Sequence, residues 1–296
     1  MGRGRIGALV STLVLLTGAG LGAARGGAGA QKTGARSAGA PFDERRALAL
    51  TRLQLAFGPR PAGSASERRA GDLLRTMLPG GRFEPVAGGL RNVVGSLPGR
   101  EPAIVLGAHY DTTPLPGYQG ANNGAAGVAA VVEIARDLAR DRPRPAQPAM
   151  RFVLFDGEEA PPGFSDFFSE GLRGSRAYVH AHAKSTRELI LMDFVALRHE
   201  RLAREAGSDA ALWGRLRRAA RRAGRQGYFS AATVPEVLDD HTLFARAGIP
   251  AVDLVDLRYP CWQRRCDDFS QVSSATQAAT GSSVLALMRA ELARPR

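Results

Sequence analysis

Ala103-Ile-Val-Leu-Gly-Ala-His-Tyr-Asp111 is a continuous apolar run that ends on a histidine and an acid. Apolar side chains at both alternating positions describe a strand covered on both faces, as in the interior of a parallel sheet. Working outward, four more short runs have this character: Asn92-Val-Val-Gly-Ser-Leu97, Arg151-Phe-Val-Leu-Phe155, Glu188-Leu-Ile-Leu-Met192 and Ala251-Val-Asp-Leu-Val255. Helical periodicity occupies residues 125–140, 173–183, 210–223 and 273–292. Strands alternating with helices predict an α/β fold with a largely parallel central sheet and helices on both sides. No internal repeat is visible, which excludes a solenoid or propeller.

Open sheets of this kind take ligands beyond the carboxyl ends of their strands. The run ending at Ala108 leads into His109-Tyr-Asp111, the one ending at Phe155 into Asp156-Gly-Glu158-Glu159, and the one ending at Met192 into Asp193. One rim is therefore expected to collect a histidine and several acids. Residues 160–171 form a loop with Phe164, Phe167 and Phe168, suited to wall a pocket.

The 296 residues, 44 % of them hydrophobic, support one large domain with one apolar core over residues 42–296. Met1-Gly-Arg-Gly-Arg5 reads as a basic n-region, Ile6 to Leu21 as an apolar h-region and Ala28-Gly-Ala30 as a small-residue cleavage site. Residues 1–30 are thus expected to be a signal peptide, followed by a Gly/Ala/Ser-rich disordered lead-in over 31–41. Glycine, serine and threonine breaks weaken the h-region as a retained span, so no stable membrane span is expected after signal removal. The expected location is secreted or periplasmic.

The formal charge is +12, and loss of Arg3, Arg5 and Arg25 with the leader leaves +9. The most basic stretch, residues 215–225, sets its arginines between Leu212, Leu216, Ala219, Ala220 and Ala223 at helical spacing, which describes a solvated amphipathic helix. It lacks aromatic residues to stack bases, so no nucleic-acid partner is expected. Only Cys261 and Cys266 are present. In an oxidising compartment they are expected to form a local bridge; packed free thiols are one alternative and metal ligation by Cys266 another.

Taken in order, Gly107-Ala-His-Tyr-Asp111, Gly120-Ala-Asn-Asn-Gly-Ala-Ala-Gly127, Phe155-Asp-Gly-Glu-Glu159 and Leu191-Met-Asp193 resemble the co-catalytic zinc aminopeptidase family. Asp239-Asp-His241, Gly248-Ile-Pro250 and Tyr259-Pro-Cys-Trp262 complete the series. The loop after Glu159 and the Asp-Asp-His run point to its glutaminyl cyclase branch. The resemblance runs from about residue 42 to 292. It implies a zinc-aminopeptidase-like three-layer α/β/α fold, zinc as cofactor, and peptide or protein N-termini as partners.

The same resemblance assigns roles. The family's proton-handling glutamate falls on Glu158, its supporting acids on Asp193 and Asp240, and the tryptophan of the substrate pocket on Trp262. Its zinc ligands in the cyclase branch fall on Asn123, Glu159 and Gln263; His109 and Asp193 match the second metal position of the two-zinc members. An aspartate and a histidine of the family pattern are therefore amides here, at Asn123 and Gln263. Zinc prefers nitrogen, sulfur and carboxylate donors in a tetrahedron, and one carboxylate with two neutral amide oxygens is a poor set. Calcium or magnesium accept such oxygens but want about six.

Without an ion, Glu158, Glu159 and Asp193 repel one another by about 4 kcal/mol per pair, for a 4 Å separation at an effective dielectric near 20. An acid must then be protonated or a cation recruited. Three readings follow: a zinc-dependent enzyme acting at peptide N-termini, as cyclotransferase or aminopeptidase; a catalytically silent member that binds peptide termini or a partner; or a structural secreted protein with a residual acidic rim.

Overall fold

The run at 103–108 forms the centre of β3 (Arg100–His109), the longest strand of the protein's main sheet. The computed structural model describes residues 39–141, 146–199, 201–256 and 258–293. Strands β1 (Arg82–Val86), β2 (Leu90–Leu97), β4 (Pro148–Phe155), β5 (Thr186–Met192) and β8 (Ala251–Leu254) join β3 in the order β1-β2-β4-β3-β5-β8. The pairs β4–β3, β3–β5 and β5–β8 are parallel, whereas β1–β2 and β2–β4 are antiparallel. A separate parallel pair comprises β6 (Leu202–Glu205) and β7 (Phe229–Val234).

Alternation along the strands divides the interior in two. Ile104, Leu106 and Ala108 of β3, Phe152 and Leu154 of β4, and Ile190 and Met192 of β5 pack in one apolar cluster; Val105, Val153, Phe155, Leu189 and Leu191 pack in another. The first is covered by α1 (Glu44–Leu55), α2 (Ala65–Met77), α3 (Gly127–Arg140), α6 (Ala210–Arg222) and α8 (Ser274–Leu292). The short α4 (Phe167–Glu170) lies in the loop after β4. Helices α5 (Arg173–His182) and α7 (Asp240–Arg246) bring Tyr178 and Phe244 onto the second cluster. This is the three-layer α/β/α arrangement with a largely parallel sheet.

The five expected strands and four expected helices all form, within a few residues of their expected ends. Others carry weaker patterns. Helix α1 buries Ala47, Leu50, Thr51 and Gln54, so half of its inward stripe is polar and the apolar period is masked. Strand β7 is half-buried or exposed along most of its length and has no apolar run to mark it. Polar side chains start several helices: Ser64 accepts from the Glu67 amide before α2, and Asp209 from the Leu212 amide before α6.

The domain begins slightly earlier than expected, because Arg289 donates to the Ala40 carbonyl at 2.8 Å and residues 39–41 are therefore tied to it. The expected signal peptide and the lead-in up to residue 38 lie outside the described residues. Among the described residues, no helix is long and apolar enough to cross a membrane.

One close approach fixes how α3 meets the sheet. A Cβ on Gly127, the first residue of α3, would stand 1.9 Å from the Met192 carbonyl oxygen at the end of β5. Gly214, within α6, meets only the Arg218 guanidinium at 3.5 Å. Gly127→Ala should therefore lower unfolding free energy by about 3 kcal/mol or abolish folding, since backbone must move to admit the methyl. Gly214→Ala should raise it by roughly 0.5–1 kcal/mol through helix propensity. Urea unfolding of the two variants beside the parent checks both signs.

Candidate functional site

The carboxyl ends of β3, β4 and β5 deliver His109, Asp111, Glu158, Glu159 and Asp193 to one side of the sheet. All five are nearly inaccessible. Asn123 reaches them from the turn at Ala121–Ala126, which leads directly into α3. That turn contains Gly124 at φ 99°, and a Cβ there would press on the His109 ring at 3.1 Å, so glycine allows the turn to lie against the histidine.

Asp267 holds the turn from behind. One of its carboxylate oxygens accepts from the Asn122 amide (2.8 Å) and the Tyr259 hydroxyl (2.7 Å), the other from the Asn123 amide (3.0 Å) and the Tyr118 hydroxyl (3.2 Å). Asp111 does the same for the paired glutamates, its two oxygens accepting from the Glu158 and Glu159 amides at 3.2 Å. Reading from sequence placed Asp111 on the rim without this task and did not single out Asp267; a buried acid gathering backbone N–H groups carries no local motif.

The side chains form a chain of hydrogen bonds. His109 Nε2 lies 2.7 Å from Asn123 Oδ1 and 3.1 Å from Asp193 Oδ1. Asn123 Nδ2 donates to Glu159 Oε1 at 2.9 Å, and the Thr113 hydroxyl donates to the same oxygen at 2.5 Å. On its other side, His109 Nδ1 faces Asp111 (3.5 Å) and Glu158 (3.8 Å). Nε2 is thus hydrogen-bonded, whereas Nδ1 makes no hydrogen bond and stands near two carboxylates.

Burial disfavours charge on His109, but Glu158, Asp111 and Asp193 outweigh it and hold the pKa well above the ordinary histidine value. Burial, reinforced by the neighbouring Glu159, raises Glu158 well above the usual carboxylate range. Glu159 and Asp193 are raised by burial, with His109 opposing. The shifts share one cause, burial of neighbouring acids around a single imidazole, so these groups titrate together as a set.

A cleft of about 400 Å³ opens above this floor, lined by Asn123, Glu158, Glu159, Asp193, Asp239, Trp262 and Gln263, with Phe164, Phe167, Phe194 and Leu238 as apolar walls. Its size is that of a small-ligand site. Six of the residues singled out from sequence converge here, with His109 hydrogen-bonded just beneath. Asp240 is placed differently. As the first residue of α7 it is buried, accepts a hydrogen bond from Ser175 and does not line the cleft, while its neighbour Asp239 does. Burial and the nearby Asp193 push the Asp239 carboxyl up to about 7.

Cys261 and Cys266 are disulfide-bonded, closing the loop that carries Trp262 and Gln263. The sulfur of Cys266 is therefore unavailable as a thiolate ligand.

The donors do not fit zinc. The Asn123 carbonyl oxygen is occupied by His109, and its amino group aims N–H at the Glu159 oxygen that a cation would need. Reversing the amide would set its oxygen against the glutamate. Among the described residues, no group of three or more His, Cys, Asp or Glu side chains is arranged to hold a metal ion.

Comparison with known proteins agrees with this architecture. The structure is similar to a glutaminyl cyclase from an Acidobacteriales bacterium, with a TM-score of 0.76 and 25% identity over 90% of this chain and 100% of that one. It is similar to a leucine aminopeptidase precursor from Bacteroides thetaiotaomicron, with a TM-score of 0.74 and 24% identity over 84% of this chain and 97% of that one. A Zn-dependent exopeptidase from Parabacteroides distasonis gives a TM-score of 0.74 and 24% identity over 87% and 100% of the two chains. No curated protein sequence matches. Residues 92–288 match the family profile, spanning most of the sheet and the cleft floor: the chain belongs to Peptidase family M28.

Proposed function

We propose that the cleft binds the free N-terminus of a peptide or protein, and that it does so as a catalytically silent member of its family, in a secreted or periplasmic setting. The observation that carries the reading is the Asn123 amide, hydrogen-bonded to His109 on one side and Glu159 on the other, in the place where the family pattern sets a metal-binding carboxylate. An amide there hydrogen-bonds to both side chains without a metal.

The remaining features suit an ammonium ligand with an apolar side chain. Glu158, Asp193 and Asp239 present carboxyl groups to the cleft, and burial holds their pKa values up, so a cation brought among them favours their ionised form. An α-ammonium brought among them gains charge-assisted hydrogen bonds in a partly dry site. Phe164, Leu238 and Trp262, at 48%, 45% and 42% exposure, are three of the four exposed large hydrophobic residues among those described, and all three stand at this one mouth. Such clustering marks a contact surface. The Cys261–Cys266 bridge supports an oxidising compartment.

A second reading, a zinc-dependent cyclotransferase or aminopeptidase, draws on Glu158. It lies on the cleft wall with a raised pKa, as a proton-transferring acid would.

Titration calorimetry with short peptides tests the first reading. Acetylating the N-terminus should weaken binding about tenfold or more, the loss of one charge-assisted contact; equal affinity of free and acetylated peptides would sink it. Elemental analysis of protein purified without added metal should find zinc well below one per chain. The double change Asn123→Asp with Gln263→His should raise zinc affinity by orders of magnitude, and either single change by less, because it rebuilds a carboxylate, carboxylate and imidazole set around Glu159. Stoichiometric zinc in the parent, together with glutamine cyclisation or N-terminal hydrolysis, would establish the enzyme reading instead.

A further inference from the structure

A second cavity, of about 350 Å³, adjoins the cleft. Ala203 of β6, Val234 of β7, Pro235, Val237 and Val255 line it, so its interior is aliphatic. Asp256 and Arg258 also border it, joined as an ion pair through the Arg258 Nε at 2.8 Å. Glu236 and Val237 line this cavity and the cleft alike, so the segment from Val234 to Leu238 is a ridge with a pocket on each side. The ridge is anchored: the buried Glu205 carboxylate accepts from the Val237 amide at 3.2 Å and from the Gly207 amide at 2.7 Å. A rigid divider between two pockets of different chemistry suits a ligand that crosses it with different groups on either side.

We propose that the second cavity is a subsite for an aliphatic side chain further along the peptide whose N-terminus occupies the cleft. The inference rests on the peptide-binding reading of that cleft and extends it to specificity beyond the first residue. The occupant follows from continuity, because a chain leaving the cleft over Val237 enters this cavity next. Its side chain follows from the lining, which is aliphatic inside, while Asp256 and Arg258 pair with each other at the border and Glu236 stands exposed on the ridge. Leu, Ile, Val or Met fit such a lining; an acidic side chain would face Glu236 and Asp256, and any charge carried past the ridge would lose its water among aliphatic walls.

The probes are the tetrapeptide amide Phe-Ala-Ala-Ala and its three analogues with leucine at the second, third or fourth position, each with a free and an acetylated N-terminus. Binding is measured by calorimetry to the parent and to Val234→Lys and Val255→Thr, which alter the second cavity and leave the cleft lining intact. Leucine at one of the three positions should tighten binding to the parent roughly tenfold or more, as burial of an aliphatic side chain does. Both variants should lose most of that gain while binding Phe-Ala-Ala-Ala amide as the parent does. The two substitutions differ in burial, and circular dichroism confirms that each variant is folded. No gain from leucine at any position, or a gain that survives in both folded variants, overturns the subsite while leaving the cleft reading in place. Equal binding of free and acetylated peptides overturns the cleft reading, and the subsite with it.

Discussion

Parallel pairing of β3 with β4 on one side and β5 on the other sets the height at which everything in the cleft emerges. Gly107 stands opposite both Val153 and Leu191. Two residues beyond that level lie His109, Phe155 and Asp193, so three chain segments leave the sheet side by side. A register change of one residue in any strand would turn its polar end toward the opposite layer, because side chains alternate. The dense apolar packing on both faces excludes such a slip. Position of the acids is thus a consequence of the core, and the rest of the site is arranged around that fixed row.

Gathering acids this way carries an electrostatic cost, and the structure meets it with fixed donors. Asp111 receives two backbone amides, Asp267 two amides and two hydroxyls, and Glu159 a hydroxyl and an amide N–H. Among the described residues, the buried Arg60 guanidinium stands near Asp111 and Asp267, and His109 faces Asp111, Glu158 and Asp193. Hydrogen bonds to anionic groups are among the stronger ones available to a protein, and here they hold the shape of the turn and of the Glu158–Glu159 segment at the same time. The loop behind Trp262 is tied in through Asp267 and Tyr259, which links the apolar wall of the cleft to its polar floor.

Much of this was legible in the chain. Buried parallel strands are the easiest element to read, since both faces are apolar, and residues 103–108, 151–155 and 188–192 were placed correctly for that reason. The convergence of strand ends follows from topology alone, which brought His109, Glu158, Glu159 and Asp193 together. What lay beyond reading depends on orientation. Asp239 and Asp240 are adjacent and identical in type, and only the start of α7 decides which of them faces the cleft. Asp267 works through Tyr118 and the Asn122 and Asn123 amides, more than 140 residues earlier in the chain, and the ridge at Val234–Leu238 gains meaning only from the pockets on its two sides.

The identity of residue 123 can be weighed on the same electrostatic terms. A carboxylate there would place an oxygen 2.9 Å from Glu159, where the amide now places an N–H, and would stand beside Asp193 through the shared contact with His109. With a divalent cation between them, that approach is favourable. Without one, two like charges at such a distance cost about 6 kcal/mol at an effective dielectric near 20. Replacing the oxygen anion by an amino group turns this repulsion into a hydrogen bond and leaves the bond to His109 in place. Asparagine is therefore not a neutral stand-in for a ligand. Its two hydrogen bonds tie His109 to Glu159, a link that a carboxylate at this position could make only through a cation or a shared proton.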